Sequence, residues 1–140
     1  MISESMKSRL KHLIIDHEGY KTYPYLDSLG KITIGIGYNL SDRGLPDTWI
    51  NEQYEKDVSY FYNQLVEDFS WFSKLNETRQ MILIDMCFMG YKKFKGFKRM
   101  LEALSYSEFD VAAFEMESSK WASQVKGRAL QLAEMMRRGE

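Results

Sequence analysis

Cysteine, proline and histidine are scarce in this chain of 140 residues: it has one, two and two of them. A lone Cys87 excludes an intramolecular disulfide, so the fold must stand on packing and can form in a reducing compartment. Its neighbours Ile84, Met86, Phe88 and Met89 make it read as a small buried hydrophobe, and no nearby residue offers itself as an activating base. His12 and His17 fall on one predicted helix without further ligands around them, so neither a metal nor any other cofactor is expected. No run of about 18 apolar residues occurs, which excludes a spanning helix. The first residues, Met1 to Lys7, lack the apolar stretch of a signal peptide. A protein of this kind is expected to be made in the cytoplasm and to need another route to any substrate outside it. Neither charge sign dominates: 19 Lys and Arg balance 20 Asp and Glu, for a net charge of −1. That balance opposes a dedicated nucleic-acid binder. Internal repeats and low-complexity linkers are absent.

What remains is the composition of one globular domain, 44% hydrophobic and 28% charged. The patterning predicts α+β architecture, mostly helical. Met6, Leu10, Leu13, Ile14 and His17 repeat with helical spacing, giving a helix over 5–18 that Gly19 should end. Ile32, Ile34 and Ile36 alternate with Thr33, Gly35 and Gly37, a strand with its isoleucines buried and a nearly bare opposite face. Turn residues 41–46 lead to a long helix over about 52–68, with Asn51 as its cap and a stripe of Tyr54, Val58, Phe61, Leu65 and Phe69. Residues 77–90 read as a central buried helix. Ser107 to Asp110 resembles a capping box before Ala112, Ala113 and Met116. Val125, Ala129, Leu132, Ala133 and Met136 mark a final helix. The expected organisation is one catalytic-sized domain over 1–140. A small β-containing N-terminal lobe would cover about 15–50, and a helical lobe about 70–140 together with the first helix.

Two carboxyl groups facing each other across a cleft can cleave a glycosidic bond, one protonating the leaving oxygen and the other activating a water or attacking the sugar. Residues 18–33 supply such a set: Glu18 at a helix end, Asp27 in a loop and Thr33 on the strand. Spacing alone is weak evidence, since surface carboxylates are common. The glycines of this strand are read equally well as turn requirements.

The full string is more specific. Glu18-Gly19-Tyr20, Tyr25-Leu26-Asp27, Gly30 and Thr33-Ile34-Gly35-Ile36-Gly37 resemble the active-site segment of phage-type lysozymes, the bacteriophage T4 lysozyme type of glycoside hydrolase family 24. Ser119-Lys120-Trp121-Ala122, Gln124-Val125 and Gly127-Arg128-Ala129 resemble the family's C-terminal signature, and Asp85-Met86-Cys87-Phe88 its central helix. The resemblance implies a two-lobed lysozyme fold and hydrolysis of the β-1,4 bond between N-acetylmuramic acid and N-acetylglucosamine in bacterial peptidoglycan, with inversion. Glu18 would be the general acid, while Asp27 and Thr33 would hold and activate the water. Arg128 would lie against the catalytic Glu across the lobe boundary, with Tyr25, Gly35 and Tyr38 in support. Tyr38 stands where the family often has histidine. Phe88 runs directly into Met89-Gly90 where the family usually places a cleft amide.

The resemblance further implies a monomer that lyses a host cell, released by a holin or carried by a virion, with peptidoglycan as its partner and neither nucleic acid nor stable membrane insertion. Two other functions fit part of the pattern. A decayed, wall-binding module is opposed by the intact Glu18, Asp27 and Thr33. A lytic transglycosylase is opposed by Asp27 and Thr33, since that reaction adds no water. Tyr20, Tyr23 and Tyr25 could line a sugar site or simply pack. The basic run Lys92, Lys93, Lys95, Lys98 and Arg99 reads as a solvated face able to attract anionic wall polymers.

Overall fold

The computed structural model describes residues 1–140 and divides them into two compact units, Met1–Gln53 and Tyr54–Glu140. The first unit opens with helix α1, Glu4–Glu18. Ser3 caps it by accepting the N–H of Met6, and Gly19 ends it at φ 86°, as the sequence predicts. Three strands follow: β1 (Lys21–Leu26), β2 (Ile32–Gly35) and β3 (Tyr38–Asn39), in an antiparallel sheet ordered β1-β2-β3. A short helix α2, Leu40–Arg43, is capped by the Asn39 side chain. Ser41 Oγ accepts the Ile32 N–H at 2.7 Å, tying α2 back to β2.

The sheet corrects the expected burial. Thr33 is only 4% exposed, while Ile32 is 45% exposed and Ile34 and Ile36 are half-buried. Register explains it. Tyr25, Thr33 and Asn39 pair across the three strands and so share one face. Tyr25 donates its hydroxyl to the Glu18 carbonyl at 3.1 Å, so the end of α1 covers this face and not the isoleucine face. Within the same unit the apolar stripe of α1 is left uncovered: Met6, Leu10, Leu13 and Ile14 are all exposed.

Helix α3 runs from Asp47 to Asp68 and contains the division between the units. It begins earlier than the apolar stripe suggests. Asn51 is therefore inside it, donating its side-chain amide to the Asp47 carbonyl, and is not its cap. In the second unit a 3-10 turn (Phe72–Lys74) precedes α4 (Glu77–Cys87), α5 (Tyr91–Lys95), α6 (Lys98–Ser105), α7 (Phe109–Glu117), α8 (Lys120–Val125) and α9 (Gly127–Arg138). Ile82, Leu83, Met86 and Cys87 of α4 are buried among Leu65, Phe94, Met100, Leu104, Met116 and Met136, confirming α4 as the central helix. Arg79 extends the order to the chain end. It donates to the carbonyls of Met136 and Arg137 at 2.8 and 3.0 Å and stacks 3.6 Å over the Phe109 ring. Desolvation holds this guanidinium below its ordinary pKa.

Besides the early start of α3, α4 stops at Cys87, short of the expected residue 90, and two further boundaries differ from expectation. The capping box does not form: Ser107 sits at φ 57°, and Glu108 caps α7 without a side-chain bond. The apolar series from Val125 to Met136 is also cut. Val125 closes α8, Lys126 turns sharply at φ 39° and ψ −103°, and α9 begins at Gly127.

Candidate active site

The turn between β1 and β2 is built on Asp27. Its Oδ1 accepts the backbone N–H groups of Leu29 and Lys31, both at 2.8 Å, and its carbonyl accepts the N–H of Gly30. This is the self-bonding that makes aspartate a turn residue. It also fixes the carboxylate, for Oδ2 is left with no protein partner. Two residues on, the Thr33 hydroxyl donates to the Lys31 carbonyl at 3.1 Å. A hydroxyl has one donor and two acceptor lone pairs, so Thr33 can still accept from a water. The backbone of Lys31 therefore bridges the two candidates, its N–H held by Asp27 and its carbonyl by Thr33.

Glu18 joins the same assembly through α1. Tyr25, which holds the Glu18 carbonyl, is the cross-strand partner of Thr33. The Glu18 side chain lies against Gly37: a Cβ placed on Gly37 would meet Glu18 Cβ and Cγ at 2.9 Å and Oε2 at 3.2 Å. Gly37 also has φ 65° in the turn after β2, so glycine is required there twice over, by conformation and by contact. Gly35 supplies a second positive φ, 69°, at the other side of this turn. Glu18 is exposed and its carboxylate forms no hydrogen bond within the protein, which leaves it free for a ligand. Asp27 is half-buried and Thr33 buried.

Tyr38 has a different task from the chemistry. Its hydroxyl donates to the Gly44 carbonyl at 2.5 Å, its ring lies 5.2 Å from that of Trp49, and Arg43 sits 4.2 Å above it. It clamps the loop after α2 to the sheet. Asp42, four residues on, takes the Lys31 ammonium at 3.0 Å and the Asn39 amide at 2.9 Å. The Lys31 hydrogen bond, foremost, holds the Asp42 carboxyl below its usual pKa. Lys31 thus serves twice, by backbone and by side chain. Residue-type reasoning missed it, because nothing in a lone lysine marks its peptide group as a bridge.

In the second unit, Arg128 is engaged by Asp85. Its Nε donates to Oδ1 at 3.0 Å, and its Nη2 reaches both Oδ1 and, at 3.0 Å, the Asp85 carbonyl. This fork joins α9 to α4 with both side chains part-exposed. Both residues stand in the sequence motifs, yet their pairing is legible only in three dimensions. Phe88, at the end of α4, is 48% exposed and packs edge-on against Phe61, 5.3 Å between centroids. Cys87 is buried, and desolvation pushes its thiol up to about 12, the behaviour of an inert core thiol.

A helix-rich α+β chain with a small antiparallel sheet, carrying a Glu-Asp-Thr set at the helix end and sheet, has the makings of a lysozyme-like protein. More particularly, the chain is T4-lysozyme-like in sequence. It is 27% identical to the probable T4-type lysozyme 2 of Dictyostelium discoideum over an alignment of 154 positions, covering 89% of this chain and 91% of that protein. It is 24% identical to the probable T4-type lysozyme 1 of the same organism, covering 96% of each. No protein-family model matches the chain.

Proposed function

We propose that the chain is an N-acetylmuramidase that hydrolyses the β-1,4 bond between N-acetylmuramic acid and N-acetylglucosamine in peptidoglycan and thereby lyses bacterial cells. The observation that carries this reading is the Lys31 bridge, which orients Asp27 and Thr33 together and leaves Asp27 Oδ2 and the Thr33 lone pairs unspent. A water could donate one proton toward Asp27 and the other toward Thr33. One of its two lone pairs is then directed at the anomeric carbon. Glu18, with its carboxyl free, protonates the departing oxygen. Oxygen attack, bond cleavage and both proton transfers balance: Asp27 gains the proton that the water loses, Glu18 loses one to the sugar, and solvent exchange restores both. Attack by water from the face opposite the leaving group inverts the anomeric centre.

Clearing of outer-membrane-stripped cells, followed by mass analysis of the fragments, tests the activity. Hydrolysis yields fragments with a free reducing end, whereas 1,6-anhydro fragments, lighter by one water, mean a transglycosylase. Glu18→Gln should fold normally and lose activity by about 10²–10⁴-fold, the usual worth of a general acid. Early-time proton NMR of a soluble digest should show the α-anomer first. A β-anomer appearing first makes Asp27 a nucleophile and overturns the water mechanism.

A further inference from the structure

A cavity of about 670 Å³ lies in the second unit, built from the residues around the start of α6 and α8. Phe97 and Trp121 give it an aromatic wall, their rings meeting edge-on at 5.9 Å. Around it stand four cations, Lys93, Lys98, Arg99 and Lys120, against a single anion, Glu115. All four are exposed, and none of their charged groups has an ion-pair or hydrogen-bond partner in the protein. A cavity of this volume is roughly 9 Å across, about one Debye length at 0.1 M salt, so these charges act on an occupant together. Backbone donors add to them. The first N–H groups of α6 have no partner inside the helix, and Phe97 offers no side-chain cap.

We propose that this cavity is a second, non-catalytic site that binds the phosphate groups of an anionic phosphodiester polymer of the cell envelope. Charge decides the class. One carboxylate would leave most of the cations unmatched. Phosphates repeated along a chain can meet several, with Arg99 making forked bonds and the lysines acting as point charges. The aromatic wall would take the polyol or sugar between phosphates. The choice of an envelope polymer rests on the muramidase reading, but the phosphate site does not, and binding is measured apart from lysis.

The test is calorimetric titration of the intact protein with a synthetic glycerol-phosphate oligomer, beside a poly-glutamate peptide of equal charge and heparin. The oligomer should bind preferentially and more weakly as salt rises. The double variant Lys98→Glu, Arg99→Glu, altered only at exposed positions, should keep its helical circular dichroism and lose roughly tenfold or more in affinity. On sacculi stripped of phosphate polymers it should clear as fast as the unaltered protein. The proposal fails if the oligomer does not bind, if the double variant binds it equally, or if poly-glutamate or heparin binds as tightly. It also fails if the double variant clears stripped sacculi slowly, since the patch would then serve the glycan itself. Binding without any clearing would instead sink the muramidase reading and leave the phosphate site standing.

Discussion

At the scale of single residues, the first unit uses backbone groups to hold its candidate side chains in place. Gly37 shows this most sharply. Its φ of 65° and the 2.9 Å approach to Glu18 mean that Gly37→Ala meets strain and collision together. We expect the variant to lose about 1–3 kcal/mol of stability. It should also lose activity beyond what the remaining folded fraction explains, because Glu18 is displaced. Denaturant melts beside clearing rates per folded molecule will separate the two effects; activity intact in a folded variant would mean that Glu18 tolerates the shift. Glu18, Asp27 and Thr33 stand out as candidates in the sequence, because a helix end, a turn aspartate and a glycine-bearing strand leave residue-type marks, whereas Gly37 reads only as part of the strand motif. The partners that orient the three are not legible there. The Tyr25 bond to the Glu18 carbonyl and the Lys31 bridge depend on register, and a shift of one residue would undo both without altering the composition.

At the scale of elements, periodicity found the longer helices, did not mark α2, α5 or α6, and misjudged where some of the others stop. A stripe at helical spacing reports a face, and two helices in sequence can share that face. Val125 and Ala129 therefore kept the rhythm across the turn at Lys126. Ser107 failed as a cap for a different reason: it is already used by the helix before it. Its N–H donates to Leu104 at 3.1 Å and that of Glu108 to Ala103 at 2.9 Å, the paired bonds that finish α6 with one left-handed residue. Glycine fits that conformation better than serine, so Ser107→Gly should raise stability by about 0.5–1 kcal/mol. The measurement is the urea midpoint at unchanged slope. A lower midpoint would show that the Ser107 side chain contributes something its left-handed backbone conceals.

At the scale of the whole molecule, two titratable groups in the second unit make stability measurable against pH and reagent. Arg137 forks onto Glu117 at 2.6 and 2.8 Å, joining α9 to α7. The Arg137 hydrogen bond holds the Glu117 carboxyl below its ordinary value of 4.5. A depressed carboxylate stabilises fully above the unfolded-state pKa and loses that contribution as pH falls through the folded one. Glu117→Gln should therefore be less stable than the unaltered protein at neutral pH, and the gap should close in acid; a gap constant with pH would deny the linkage. Cys87 answers a second question. Its thiol is buried and pushed up to about 12, so a thiol reagent should label the folded protein far more slowly than the unfolded one. Labelling at the same rate with and without denaturant would place the thiol outside the core.

The Lys31 bridge has a consequence for genetics. Most mutagenesis replaces side chains, and the N–H and carbonyl of Lys31 that tie Asp27 to Thr33 belong to the two peptide bonds flanking it, which nearly every substitution preserves. An alanine scan of this turn would remove the Asp42 contact and pass over the bridge, returning position 31 as dispensable. Only a change written into the main chain, such as an ester in place of the amide between Gly30 and Lys31, which removes the N–H given to Asp27, exposes what the position does. The proposed acid–base apparatus thus has a component hidden from the genetic code, shielded from almost every missense mutation that could strike its own codon.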